Sequence, residues 1–151
     1  MNKFNKKEKA DLVTKTAITL RGADLDILIS LGEALNANSE VIVALALSYK
    51  YGLTTSANLL SYVGTKKYIG NVNIARRQTF IKHTADEKKA IDDLILEKNI
   101  VMSKLGDNYN VTNVSLVQAS LFKFSNDYFD GVLDWNATPA LSKFAKFKKI
   151  K

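Results

Sequence analysis

The chain has 151 residues, of which 46% are hydrophobic and 25% are charged, and it contains no cysteine. This composition is typical of a folded globular protein with one domain or two very small ones. The absence of cysteine excludes disulfide bonds and thiolate chemistry, and the formal charge of +7 favours a polyanionic partner, such as nucleic acid or an anionic membrane surface.

No apolar run in the sequence is long enough to cross a bilayer. The longest, Val41 to Leu47, makes about two helical turns. The first residues, MNKFNKKEKADLV, are polar and do not resemble a signal peptide. We therefore expect a soluble, cytoplasmic protein with no membrane partner.

A strand followed by two helices is predicted near the start of the chain. Residues 16–21 alternate apolar and polar side chains, which predicts a short strand. Residues 23–35 then follow a helical period. After the turn Asn36-Ala37-Asn38, a second, strongly apolar helix is capped by Asn38 or Ser39 and runs to about residue 51.

The same order of elements is predicted a second time. Residues 76–83 indicate another short strand, and Thr84 with Glu87 fits a capping box that opens a helix. A last long helix begins after Thr112 or Asn113. Because the backbone of a lone strand needs a partner, we expect the two strands to pair with each other.

The second helices show this internal repeat best. Residues 38–44, NSEVIVA, align with residues 113–119, NVSLVQA, at an offset of 75. The strands align at an offset of about 62, so the second copy carries roughly a dozen extra residues between its two helices.

The end of the chain predicts one more helix, which begins near Pro139 and is basic. Its lysines fit phosphate contacts with DNA, and its amphipathic pattern fits docking to a partner protein or, less well, a membrane surface. Its apolar face consists of Leu141, Phe144, Phe147 and Ile150. The chain thus divides into a basic N-terminal arm (1–14), a first unit (15–52), a helical and basic linker (53–75), a second unit (76–130) and a basic C-terminal helix or tail (131–151).

Both units resemble the ribbon-helix-helix family of DNA-binding proteins, in the form of Arc-like and MetJ-like repressors. Residues 16–21, 36–38 and 39–42 carry the resemblance in the first unit, and residues 78–82 and 113–117 carry it in the second. The tandem form is similar to the accessory protein of F-type plasmid conjugation, and some archaeal viral regulators have a similar layout. The resemblance implies a mostly α fold with a short two-stranded antiparallel ribbon, a tandem pseudo-dimer, whose ribbon enters the DNA major groove.

The resemblance also implies which strand residues face the DNA bases. Ile18 and Leu20 are expected to face the helices, which leaves Ala17, Thr19 and Arg21 facing outward. Arginine can pair with guanine, threonine can bond to a base edge, and the methyl groups of alanine and threonine can touch thymine.

The second strand leaves two arrangements open. Phe80 is expected to face the helices, which would turn Thr79 and Ile81 outward. If Ile81 faces the helices instead, Phe80 and Lys82 point outward, because a slip of one residue exchanges the two faces. We select Thr79 and Lys82 as base contacts, with Arg77 or Gln78 near the end of the ribbon.

Phosphate contacts are predicted where each second helix begins, because free N–H groups and the helix dipole favour an anion there. The residues are Asn38 and Ser39 in the first unit and Asn113 and Val114 in the second, mainly through their backbone donors. Lys15 adds a phosphate contact that positions the protein without recognising sequence.

The residue types argue against catalysis. His83 is the only histidine, no cysteine is present, and no glycine-rich phosphate loop occurs, so we expect neither an enzyme nor a cofactor or metal.

We therefore expect a sequence-specific protein that binds double-stranded DNA, most consistent with an accessory relaxosome protein at a plasmid transfer origin. Its C-terminal tail would contact a relaxase or another relaxosome protein, and several copies would associate on repeated DNA sites. The alternatives are a transcriptional repressor of a plasmid or virus and a protein-interaction module that binds no DNA.

Overall fold

The computed structural model describes residues 14–54, 76–106 and 110–150. The described residues are mostly helical, at 65%, with one two-stranded antiparallel sheet, which confirms the expected mostly α fold with a short antiparallel ribbon. The N-terminal arm (1–14) and the linker (53–75) fall almost wholly outside the described residues. The described elements are β1 (Thr14–Arg21), α1 (Gly22–Leu35), α2 (Ser39–Tyr51), β2 (Arg76–His83), α3 (Ala85–Lys104), α4 (Asn113–Phe129) and α5 (Pro139–Lys148).

The two strands pair with each other in an antiparallel ribbon within one chain. The register runs from Thr14 opposite His83 to Arg21 opposite Arg76. Each eight-residue strand thereby supplies the backbone partner that the other lacks. The predicted pairing of the two strands is confirmed.

One face of the ribbon is buried against the helices. Thr79 is 1% exposed and His83 is 2% exposed, so both lie on this inner face of β2. Phe80 consequently points away from the helices, and its expected inward placement is wrong. The inner face also holds three aliphatic side chains that are each at most 2% exposed: Ile18, Leu20 and Ile81.

Side-chain caps fix where the helices begin. The Asn38 side chain accepts a hydrogen bond from the Val41 N–H at 3.1 Å, so Asn38 and not Ser39 caps α2. Thr84 and Glu87 form the predicted capping box at the start of α3. At α4 the cap is Thr112.

The turn between α1 and α2 depends on a left-handed residue. Asn36 has φ 50°, and its N–H donates to the carbonyl of Gly32. Asparagine tolerates this backbone region better than most residues do. The three-residue turn therefore redirects the chain into the Asn38 cap.

Helix α2 forms the centre of the core. It packs against α1, α4, α5 and β2. Residues 41–47 are fully buried except Ala44, which is 8% exposed. Because neighbouring elements cover α2 on nearly every side, its sequence is apolar throughout instead of showing one apolar stripe.

The C-terminal helix α5 is part of the same core. Leu141 and Phe144 are both 0% exposed. Thr138 caps α5, and its hydroxyl lies 2.7 Å from the Ser48 hydroxyl of α2. Most of the apolar face that was expected to be available to a partner or a membrane is therefore occupied by the chain itself.

An aromatic cluster attaches the segment before α5 to the core. The Trp135 ring stacks on Phe144 with centroids 5.9 Å apart, and it makes edge contacts with Phe124 and Tyr128. Nearby, the Tyr49 hydroxyl donates to the Asp127 carboxylate. Burial, together with this bond, raises the pKa of Tyr49 to about 12.

Truncation of Phe144 tests whether α5 belongs to the core. We expect Phe144→Ala to lower the free energy of unfolding by about 3–5 kcal/mol, because it empties a fully buried aromatic site. Phe147→Ala is the matched control, since Phe147 is 50% exposed on the same helix; it should change stability by about 0.5 kcal/mol or less. Urea unfolding measures both, and equal effects would show that α5 does not dock as described.

Candidate nucleic-acid interface

The outer face of the ribbon, the face turned away from the helices, carries four cross-strand pairs of side chains. Its residues alternate with the buried ones on each strand. None of the eight is acidic, and four are lysine or arginine. Along the ribbon the pairs are Lys15–Lys82, Ala17–Phe80, Thr19–Gln78 and Arg21–Arg76.

Like charges lie directly opposite each other at both ends of the outer face. Such a cross-strand pair destabilises a sheet, by about 0.2–1 kcal/mol on the scale of cross-strand interactions. An anion held between the two cations would relieve this repulsion. Both ends of the outer face therefore carry a local excess of positive charge.

Most predicted base-contacting residues lie on the outer face. They are Ala17, Thr19, Arg21, Gln78 and Lys82, and the predicted phosphate contact Lys15 lies beside them. From the sequence, only the family resemblance predicted that these six residues share one surface. The register of the strands places them there.

Two predicted base contacts lie on the other face. The Thr79 hydroxyl donates to the Ser39 hydroxyl at 2.8 Å beneath the ribbon. At 1% exposure Thr79 cannot reach a bound duplex, and its assignment is corrected. Arg77 pairs with Leu20 at the end of the inner face, although its side chain is partly exposed.

Phe80 and Arg76 belong to the outer face and were not selected from the sequence. The signal that would have found them is a Thr-x-Ile sequence in both strands, at residues 16–18 and 79–81. Its threonines and isoleucines lie on the inner face in each strand. This correspondence gives an offset of 63 between the two strands instead of about 62. An offset of 63 aligns Phe80 with Ala17 on the outer face, whereas an offset of 62 would align it with Ile18 on the inner face.

The N-terminus of α2 lies under the ribbon but is poorly suited to phosphate. Ser39 is 4% exposed, and its hydroxyl donates to the Glu40 carboxylate at 3.1 Å. The Asn38 side chain accepts a bond from the helix backbone. The predicted phosphate contact would therefore depend mainly on backbone donors, and the negative charge of Glu40 in the first turn opposes it.

The N-terminus of α4 is the more favourable of the two. Thr112 and Ser115 satisfy each other's backbone N–H groups in a capping box. Asn113 and Val114 are partly exposed, and the first turn contains no acidic residue. The helix dipole is therefore not offset there by a carboxylate.

His83 has a structural environment at the end of the ribbon. Its Nε2 lies 2.7 Å from the Thr16 hydroxyl and its Nδ1 lies 3.3 Å from the Thr14 hydroxyl. The ring thereby joins β2 to two residues of β1 on the buried face. In the described ranges, no group of three or more histidine or acidic side chains is placed to hold a metal ion.

Two neighbouring residues of β2 test which face of this strand is buried. We expect Thr79→Ala to cost about 1–3 kcal/mol of unfolding free energy, because it removes a buried hydrogen-bond partner of Ser39. Gln78→Ala, on the exposed outer face, should change stability by about 0.5 kcal/mol or less. Thermal or urea unfolding distinguishes them, and the reverse order of effects would mean that the two faces of β2 are exchanged.

Comparison with known proteins gives no relative: no protein-family model, no curated protein and no solved structure matches this chain. Among the described helices, none is by itself both long and apolar enough to span a membrane; only α1 and α2 taken together, bent by 101° at their junction, meet that length and composition.

Proposed function

We propose that this protein binds double-stranded DNA sequence-specifically by placing its ribbon in the major groove. The observation that carries the proposal is the outer face of the ribbon, where eight side chains include four cations and no acid. The major groove is about 12 Å wide and accepts a two-stranded ribbon. Phosphates on both sides of the groove would offset the repulsion within the two like-charged pairs.

The order and packing of the elements support a tandem ribbon-helix-helix pseudo-dimer. β1, α1 and α2 are followed by β2, α3 and α4, and α2 packs against α4. The 63-residue correspondence places Ala17 on Phe80, and these two residues are themselves a cross-strand pair. A pseudo-two-fold axis through this pair would exchange the two strands, as the subunits of a symmetric dimer are exchanged.

The two halves differ in length and in the residues that they present. α3 has 20 residues whereas α1 has 14, and the connection after α3 is also longer than the Asn36–Asn38 turn. On the outer face, Lys15, Ala17 and Thr19 of β1 correspond to Gln78, Phe80 and Lys82 of β2. Because the symmetry of a protein sets the symmetry of its site, the DNA target would be non-palindromic.

Specific base contacts follow from the chemistry of the outer face. Arg21 and Lys82 suit the acceptors of guanine, and Gln78 suits the acceptor and donor of adenine. Thr19 can donate to or accept from a base edge. Phosphate contacts would come from Lys15 and from the backbone at the start of α4, which position the ribbon.

The biological role that we propose is an accessory protein bound at a plasmid transfer origin, where non-palindromic repeated sites suit an asymmetric protein. Self-association on such repeats and contact with a relaxase belong to this proposal. A transcriptional repressor of a plasmid or virus would use the same interface.

A protein-interaction module that binds no DNA is the second candidate. It is favoured by large apolar side chains that α3 and its C-terminal end leave exposed, among them Leu96 at 62% and Leu105 at 75%. An exposed apolar surface is typical of protein contact. If this second candidate is right, the protein will select no duplex in the tests below.

Removal of Arg21 tests the DNA-binding proposal. A duplex site is first selected from a random pool with the wild-type chain. We expect Arg21→Ala, alone or with Thr19→Ala, to weaken binding to this site by about 5- to 150-fold, the loss expected for one bidentate base contact. Affinity for random duplex should fall much less, so that selectivity collapses, and the wild-type affinity should drop steeply with added salt.

Lys104→Ala is the control because it removes the same charge from the far end of α3, about 30 Å along that helix from β2. Its affinity should remain near the wild-type value. Gel mobility or fluorescence anisotropy measures all variants. If no sequence is enriched from the pool, or if Lys104→Ala and Arg21→Ala have equal effects, the ribbon does not recognise DNA.

Neutralisation of Glu40 tests how the helix termini meet phosphate. We expect Glu40→Gln to strengthen binding of the selected duplex by about two- to fivefold, because it removes a negative charge from the first turn of α2 beneath the ribbon. Glu33→Gln, an equal charge change near the end of α1, should leave affinity almost unchanged. Equal gains from both variants would indicate a general charge effect and no local contact.

A further inference from the structure

An apolar strip crosses the middle of the outer face, between its charged ends. Phe80 lies opposite Ala17, and the next pair contributes the methyl group of Thr19. The small side chain of Ala17 cannot cover the ring across the ribbon. Phe80 is accordingly partly exposed, whereas its neighbours Thr79 and Ile81 on the inner face are buried.

One side of the Phe80 ring is already occupied. The Lys15 ammonium lies 4.3 Å from the ring centroid, within the range of a cation–π contact. This contact holds the lysine stem and the ring together at the centre of the ribbon. The ring therefore presents an apolar surface in a fixed position. A charged phosphate makes no favourable contact with such a surface.

Within the major groove, the C5 methyl group of thymine is the apolar feature that a base pair offers. We propose that the centre of the ribbon recognises thymine methyl groups through Phe80, with Ala17 and the Thr19 methyl beside it. The bound site then has A·T pairs at its centre, and the charged ends of the ribbon contact the flanking pairs. This inference rests on the proposed DNA-binding function and names the base class that its central residues recognise.

The experiment removes the methyl group from the DNA and leaves the protein unchanged. In the duplex selected with the wild-type chain, each thymine is replaced in turn by deoxyuridine, which pairs identically but lacks the C5 methyl. We expect one or more central positions at which this change weakens binding about fourfold, the effect of losing one buried methyl-sized group. Flanking thymines should respond little.

Two variants of Phe80 test whether its ring causes the sensitivity to the thymine methyl group, and Lys82→Ala is their control. Phe80→Ala should bind the thymine and deoxyuridine duplexes with nearly equal affinity, whereas Phe80→Leu, which keeps an apolar side chain, should retain part of the difference. Lys82→Ala should weaken binding to both duplexes and preserve their ratio. Circular dichroism confirms that each variant is folded.

The outcomes separate the two proposals. A selected site without thymine at its centre, or one indifferent to deoxyuridine at every position, overturns the methyl inference and leaves DNA binding standing. A ratio that Phe80→Ala leaves unchanged also overturns it. Failure to select any duplex overturns the proposed function itself.

Discussion

The antiparallel pairing of β1 with β2 is the constraint on which the remaining structure depends. Neither strand has another partner among the described elements, and their pairing places Arg21 opposite Arg76 although the two are far apart in the chain. The pairing fixes which side chains meet the helices and which face away. A change of register by one residue would bury Lys82 and Phe80 and expose Ile81 and Thr79. The surface that we assign to DNA therefore exists only in this register.

The core specifies that register from below. Ile18, Leu20 and Ile81 require an apolar environment, which α1, α2 and α4 supply. The polar groups on the same face are equally specific, because Thr79 is bonded to Ser39 and His83 to the hydroxyls of β1. Buried polar groups need partners in particular places, so they exclude alternative pairings that apolar residues alone would tolerate. The outer face is thus positioned by contacts on the opposite side of the ribbon.

Local sequence rules predicted the helices and strands well, but they did not predict which face of β2 is buried. The cap at Asn38, the capping box at Thr84 and the alternation of β1 are short-range features, and each is confirmed. In β2 the adjacent apolar residues Phe80 and Ile81 fit either face, so alternation gives no decision. The decision comes from Ser39, 40 residues away along the chain, and no local pattern contains it. The docking of α5 was missed for the same reason. An amphipathic pattern indicates that a helix packs against some surface, but it does not identify that surface.

Carrying both strands on one chain has a physical consequence for recognition. When two identical chains form a ribbon, its strands must present the same residues and its formation depends on protein concentration. Here the strands differ, so Ala17 can lie opposite Phe80, and a small residue leaves the large ring accessible at the centre. A symmetric ribbon would place two phenylalanines or two alanines at that position, either crowding the centre or removing its apolar surface. The asymmetry of the outer face therefore follows from pairing two different strands of one chain. Under the proposed function, it would let the two sides of the ribbon make different contacts with a non-palindromic site.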